Sequence, residues 1–211
     1  ATTTAKNGGW AITCLSGPRP LNQTRVGNAM PLFSNFLAFQ IGWFACVLGG
    51  AHDLPWVGTG IALVIVAWHL TRATRPEQEL LLVLSAAAIG ALFDTLLVWL
   101  GWLTFSSGTL IAGTAPHWMV ALWMLFATTL NLSLAWLKRH LFVAVLFGAI
   151  GGPLAYLGGE KLGALNFASP TAGLIALAIG WALLTPLLAV IAQRFDGFVS
   201  RLDAATEMSH V

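Results

Sequence analysis

Long apolar runs separated by short polar stretches dominate the chain from residue 31 onward. Six such runs cover approximately residues 31 to 51, 55 to 72, 78 to 104, 116 to 137, 140 to 159 and 170 to 193. Each is close to the ~20 residues that an α-helix needs to cross a bilayer. The runs are continuous and rich in Leu and Ala, without the alternation of a membrane β-strand. This pattern predicts an all-α polytopic membrane bundle of six transmembrane helices.

The composition supports the bilayer as solvent. Of the 211 residues, 57% are hydrophobic and 9% are charged, against about 25% charged residues in an average soluble domain. A water-exposed surface cannot be built from so few charges, and those present are gathered between the apolar runs. The net charge of +2 and the absence of a basic patch predict no nucleic-acid partner. Membrane lipids are the expected partners, and the oligomeric state is left open.

The positions of the cations predict how the helices are oriented. Four cationic clusters fall on one side of the predicted bundle: Arg19 and Arg25, Arg72 and Arg75, Lys138 and Arg139, and Arg194 and Arg201. The opposite loops hold only Lys161, beside Glu160. The positive-inside rule then predicts that both termini are cytoplasmic. The helices pair as three hairpins that turn outside at Pro55, Pro116 and Pro170.

The two ends of the chain differ from its middle. Residues 1–29 form a polar tail without periodicity, and Met30 resembles a natural start, so we expect the tail to be an upstream extension. Residues 30–195 form the predicted transmembrane domain. Residues 196–211 are expected to be a short cytoplasmic tail, in which Phe198 and Leu202 fall at the spacing of a surface-lying helix.

Small residues recur every four positions on the first, third and fifth predicted helices, where they permit close helix packing. They are Gly42, Cys46 and Gly50 on the first helix, Ala86 and Gly90 on the third, and Gly148 and Gly152 on the fifth. We therefore expect these three helices to form the inner layer, with the second, fourth and sixth helices outside it.

Asp94 is the most informative residue, because a carboxyl group in the hydrocarbon costs about 3 kcal/mol unless it is paired or protonated. Counting residues along the third and fifth helices places Tyr156 at the same depth, so Tyr156 is the predicted hydrogen-bond partner. His52, His117 and Glu160 lie at the outer ends of helices. Together these five residues are the candidates for a catalytic site in an outward-facing polar cavity.

Ordinary interfacial polarity is the alternative interpretation of the same residues. The sequence has no His-Glu-x-x-His or Gly-x-Ser-x-Gly motif, and we predict neither a metal site nor a cofactor. Gln40 and Asn131 are interpreted as interhelical hydrogen-bond partners. His69 and His140 adjoin inner cations and are interpreted as interfacial. The preferred interpretation of the tryptophans is that they are interfacial or face lipid.

Several segments resemble the bacterial inner-membrane family catalogued as domain of unknown function 2878. They are Phe39–Gly49, Pro55-Trp56, Phe93-Asp94, Pro116-His117-Trp118, Leu125–Asn131 and Gly148–Tyr156. The resemblance covers about residues 30 to 195 and implies a multi-pass protein of the bacterial inner membrane. It implies no established activity, but it associates the chain with fatty-acyl modification, since the family's genes neighbour cyclopropane-fatty-acyl-synthase-like and amine-oxidase-like genes.

Three functional hypotheses remain at this point. The first is a non-catalytic accessory or scaffold that presents lipid to lipid-modifying enzymes, favoured because no catalytic motif occurs. The second is an intramembrane lipid-modifying enzyme that uses Asp94 as acid or base. The third is a small transporter, in which Asp94 and the break at Gly151-Gly152-Pro153 mark a pathway.

Overall fold

A computed structural model describes residues 21–198 of the chain, and side-chain surroundings from residue 32. The helices are α1 (Leu21–Ala51), α2 (Pro55–Arg72), α3 (Pro76–Trp99), α4 (His117–Leu130), α5 (Leu141–Lys161) and α6 (Pro170–Arg194). A 3₁₀ helix (Ala135–Arg139) follows α4, and two short strands, β1 (Leu103–Phe105) and β2 (Leu165–Phe167), follow α3 and α5. The described part is thus almost entirely helical, as predicted.

Prolines mark where three of the helices begin. Pro55, Pro76 and Pro170 occupy the first positions of α2, α3 and α6, where a missing N–H costs nothing. Helix α1 begins at Leu21, upstream of the predicted start at residue 31. Residues 21–29, predicted to lack regular structure, are therefore helical. The rest of the predicted tail and residues 199–211 lie outside the described residues.

Four helices are long and apolar enough to cross a membrane: Leu32–Ala51 of α1, and the whole of α3, α5 and α6. They indicate a membrane protein. Helix α2 has 18 residues and ends in a polar turn with His69 and Arg72. Helix α4 has only 14 residues, a rise of about 21 Å at 1.5 Å per residue, which is less than the ~30 Å hydrocarbon layer.

Helix α4 is the core of the bundle. Eleven of its fourteen residues are buried, and it packs against α1, α2, α3 and α6. Consecutive helices also pack in pairs, α1 with α2, α3 with α4 and α5 with α6. The predicted inner layer of the first, third and fifth helices is therefore wrong. A helix that other helices surround has no need of the length that lipid contact requires.

The small residues of α1, α3 and α5 instead receive large side chains from α4 and α6. A Cβ atom on Gly50 would lie 2.7 Å from Cε2 of Trp118, and one on Gly90 would overlap the ring of Trp123. On α5, Gly148 and Gly152 lie equally close to the backbone and ring of Trp181. The remaining members of the predicted stripes, Gly42, Cys46 and Ala86, are also buried, and Gly42 faces Leu125.

A two-stranded antiparallel ribbon joins two of the interhelical loops. Leu103 pairs with Phe167 and Phe105 with Leu165. The third predicted helix was expected to reach residue 104, but α3 ends at Trp99 and the chain turns at Gly101, where φ is +70°. We call this end of the bundle the ribbon end. The opposite end, with Arg72, Lys138 and Arg194, is called the basic end.

Two glycines on α2 provide a matched test of the α1–α2 contact. A Cβ atom at Gly58 would lie 2.5 Å from both the Ala45 oxygen and the Cys46 Cα, whereas Gly60 has nothing within 4 Å. We expect Gly58→Ala to destabilise the protein by about 1–3 kcal/mol, because two backbones must separate. Gly60→Ala should leave stability equal or higher. Thermal unfolding in detergent, followed by tryptophan fluorescence, measures both, and equal effects would contradict the packing.

Candidate functional site

The carboxyl group of Asp94 lies at the meeting point of three helices. It projects from α3 with 0% of its surface exposed. The Trp123 indole Nε1 on α4 donates to Oδ2 at 2.7 Å, and the Tyr156 hydroxyl on α5 donates to Oδ1. The predicted pairing of Asp94 with Tyr156 is therefore present. Trp123 is an additional partner that the sequence interpretation missed.

The donor set constrains how the carboxyl group is used. An indole N–H can only donate, so Oδ2 of Asp94 must act as an acceptor. Oδ1 and the Tyr156 oxygen share one O–H···O hydrogen bond. Both carboxyl oxygens are therefore occupied by protein groups, and no side of Asp94 is open to a substrate. This arrangement suits a group that holds helices together.

Aromatic rings extend the Asp94 contacts to the sixth helix. The Trp123 ring stacks on Trp181 of α6, with centroids 4.5 Å apart and planes 16° from parallel. Phe126 packs edge-on against Trp181 at 5.3 Å, and Tyr156 does so at 6.5 Å. Rings in such offset or edge-on arrangements add about 0.5–1.5 kcal/mol per pair beyond burial. One carboxyl group thus fixes a wall of four aromatic side chains.

This aromatic wall forms one side of a groove between α1, α4 and α5. The cavity has a volume of about 430 Å³, within the ~300–1,000 Å³ of typical small-ligand sites. Its lining is mainly apolar and includes Phe39, Trp43, Leu122, Phe126, Phe147 and Leu154. The groove runs from Phe36 and Ser133, towards the basic end, to Trp118 and Leu165 at the ribbon end.

The other predicted site residues have separate partners. His52 is exposed and its Nδ1 lies 2.9 Å from the Leu48 carbonyl. His117 stacks on Trp56 at 4.0 Å, and its Nδ1 lies 2.7 Å from Thr59 Oγ1. Glu160 accepts from the Phe167 backbone N–H at 3.3 Å. None of the three is hydrogen-bonded to Asp94, and none of them lines the groove beside it.

No group of three or more His, Cys, Asp or Glu side chains within residues 21–198 is arranged to hold a metal ion. Asp94 and Glu79 lie fifteen residues apart on α3, and Glu160 lies near the end of α5. The one cysteine in the described part, Cys46, is a free buried thiol.

A second buried polar cluster lies at the basic end around Glu79. This side chain is 0% exposed, and His69, 2% exposed, lies beside it with Nε2 2.8 Å from Glu79 Oε2. The other oxygen accepts from the Asn131 amide at 2.5 Å and from the Gly197 backbone N–H at 3.0 Å. The interpretation of Asn131 as an interhelical partner is confirmed. The interpretation of His69 as interfacial is wrong, because the residue is buried between Glu79 and the ring of Phe198.

The same cluster holds the segment after α6, Phe195–Phe198, which we call the strap. Lys138 donates to Asn131 Oδ1 at 2.8 Å and to Asp196 Oδ2 at 2.6 Å. Arg75 donates through its guanidinium to the Asp196 carbonyl at 2.6 Å, and through its backbone N–H to Gly197 at 2.9 Å. Glu79 lies in the first turn of α3, where acidic residues are common, and nothing in the sequence distinguished it from the neighbouring Glu77.

Comparison with known proteins gives one match. A family model described as "Protein of unknown function (DUF2878)" matches residues 32–187. No curated protein and no solved structure matches the chain. The matched range includes α2 to α5, nearly all of the groove lining and both Asp94 and Glu79, and it ends before the strap.

The Asp94 contacts predict a reversal of sign in a double-mutant series. Asp94→Leu leaves the Tyr156 and Trp123 donors buried without an acceptor, at about 1–3 kcal/mol for each group. Tyr156→Phe should therefore destabilise the wild type but stabilise the Asp94→Leu background, since it removes an unpaired hydroxyl. Unfolding in detergent measures the four variants of the cycle. A Tyr156→Phe effect of the same sign in both backgrounds would refute the pairing.

Two glutamates in the first turn of α3 test the basic-end cluster. Glu79→Gln replaces a charged acceptor with a neutral one, which weakens the hydrogen bonds from Asn131 and Gly197. It should lower the free energy of unfolding by about 1–2 kcal/mol. Glu77→Gln, at an exposed position of the same turn, should change it by less than about 0.5 kcal/mol. Hydrogen exchange at the Gly197 amide should accelerate only in Glu79→Gln. Unchanged protection of Gly197 would show that Glu79 does not hold the strap.

Proposed function

The chain belongs to the family described as protein of unknown function (DUF2878), and we propose that it is a non-catalytic membrane protein that holds a lipid acyl chain. The groove between α1, α4 and α5 carries this proposal. It is preformed, apolar and large enough for a single chain. The proposed role is that of an accessory that presents the bound chain to a lipid-modifying enzyme, in keeping with the fatty-acyl association implied by the family resemblance.

We propose that the groove lies within the bilayer. Phe36, Phe147 and Leu154 line it while 52%, 40% and 60% of their surfaces remain exposed. Exposed apolar side chains at the rim of a groove are more favourable in hydrocarbon than in water. Within a bilayer, lipid chains are the most concentrated apolar molecules beside them. Entry from the side of the bundle requires no aqueous route.

The proposed membrane orientation follows from the cations. Arg72, Lys138, Arg139 and Arg194 lie at the basic end, whereas Lys161 adjoins the ribbon. We place the basic end in the cytoplasm of a bacterium and the ribbon end outside its inner membrane. All six helices cross the bilayer in this proposal, with α4 shielded from lipid by its neighbours.

An enzyme that uses Asp94 is the weaker alternative. A general acid or base must reach the proton it transfers, at about 2.6–3.2 Å, whereas Asp94 is enclosed and both of its oxygens have protein partners. The residues expected to assist it bond elsewhere. A transporter is also weaker, because the groove lining is mainly apolar and offers few groups to an ion or polar solute.

Filling the groove should displace the lipid. Gly151 lines the groove, and a Cβ atom there would meet only the Phe147 ring, at 3.9 Å. Gly151→Trp should therefore fold and yet reduce the lipid retained on purification about tenfold or more, measured by native mass spectrometry. Gly60→Trp, at an open position of α2, is the control and should retain lipid. Equal retention by the two variants would refute the groove as the binding site.

A further inference from the structure

The carboxamide of Gln40 is a polar group of the groove with no protein partner. Gln40 lines the groove from α1 and is partly exposed there. Two other polar side chains of the lining are occupied: Thr129 donates to the Phe126 carbonyl at 2.6 Å and Ser133 to Asn35 Oδ1 at 2.7 Å. Within the described residues no hydrogen bond reaches Gln40, although it was expected to pair with another helix. Its two N–H donors and its carbonyl acceptor therefore have no partner among the described residues.

An unpaired amide in an apolar environment is unfavourable, because its donors and its acceptor have lost water without gaining a partner. Binding within a bilayer also gains little from apolar burial, because the lipid chain leaves one hydrocarbon environment for another. Affinity in such a groove therefore depends on close packing and on polar contacts that the bilayer interior does not supply. A ligand with a hydrogen-bond acceptor opposite Gln40 supplies that contact.

The position of Gln40 along the groove indicates which end of a bound ligand lies towards the ribbon end. The groove is closed at the ribbon end by Trp118 and Leu165, which are 0% and 4% exposed. Gln40 lies about 10 Å from the level of Val47, near this closed end, at 1.5 Å per residue. Asn35 lies just over one turn from Gln40, on the side of the basic end, and helical side chains incline towards the helix N-terminus. Its amide therefore lies slightly inside the polar level formed by Asn35 and Ser133.

We infer that the groove binds an ester-linked lipid, with Gln40 donating to an ester carbonyl and the acyl chain running to the Trp118 and Leu165 end. An ester carbonyl of a glycerolipid lies just inside its polar headgroup, which matches the place of Gln40 just inside the polar level. The headgroup then lies towards Ser133 and the basic end. This inference rests on the proposed function and names its ligand class.

Ester and ether analogues of one lipid separate carbonyl recognition from chain binding. The probes are diacyl phosphatidylglycerol and its dialkyl ether analogue, which have the same chains and headgroup but differ in the two carbonyls. Each is titrated into delipidated full-length protein and counted by native mass spectrometry. One hydrogen bond predicts that wild type prefers the ester by about 3- to 10-fold. Gln40→Leu should bind both probes equally, and its unfolding temperature verifies that it folds.

Gln78→Leu is the matched control, because it makes the same substitution on α3, outside the groove, and it should keep the ester preference. Equal binding of the two probes to wild type overturns the inference, as does an ester preference that survives in Gln40→Leu. The proposed function fails in a different way: both probes then bind Gly151→Trp as well as they bind wild type. Loss of probe binding in Gly151→Trp with no ester preference in wild type retains the groove and removes the carbonyl contact.

Discussion

A single carboxyl group inside an apolar bundle imposes the geometry on which the rest of the structure depends. Asp94 cannot be left without partners there, because an unsatisfied carboxyl costs several kcal/mol. Its two donors come from α4 and α5, so these helices must hold Trp123 and Tyr156 at the level of Asp94. Trp181 then stacks on Trp123 and brings α6 into the same layer. The relative heights of four helices are thereby fixed at one point.

The groove exists because of this arrangement. Trp123, Tyr156 and Trp181 are large rings whose polar atoms or faces engage one another, so they cannot rotate outward to fill the adjacent space. Gly148 and Gly152 on α5 let Trp181 pack directly against that helix, and Gly151 adds no side-chain volume to the groove. A rigid aromatic wall beside an open glycine position leaves a cavity. Such preorganisation reduces the ordering cost of binding.

The sequence predicted those features that depend on one helix at a time. All six α-helices were located, because apolar runs, prolines and polar turns mark them, although the predicted start of α1 and the predicted ends of α3 and α4 were wrong. The Asp94–Tyr156 pair was predictable because an intramembrane carboxyl demands a donor and residue counting gives its depth. Trp123 was missed because a tryptophan in an apolar run has the same appearance whether its N–H meets lipid headgroups or a carboxyl on another helix.

Features that depend on several segments together were not predictable. The central place of α4 was missed because large side chains were expected to face lipid, whereas glycines on neighbouring helices receive them. Glu79 and His69 lie in terminal turns, where charged residues normally meet water, and only the strap converts them into a buried pair. The ribbon consists of two strands of three residues each, too short to give a pattern.

The strap also determines when the polar cluster at the basic end can be completed during synthesis. Glu79, Asn131 and Lys138 are synthesised well before Asp196 and Gly197, so their hydrogen bonds stay incomplete while α5 and α6 are being made. The residues that follow α6 complete the polar cluster, which lies at the C-terminal end of α2 and the N-terminal end of α3. A nascent chain that stops within α6 leaves that cluster open. Closure of the strap therefore requires that α1 to α6 have all been synthesised.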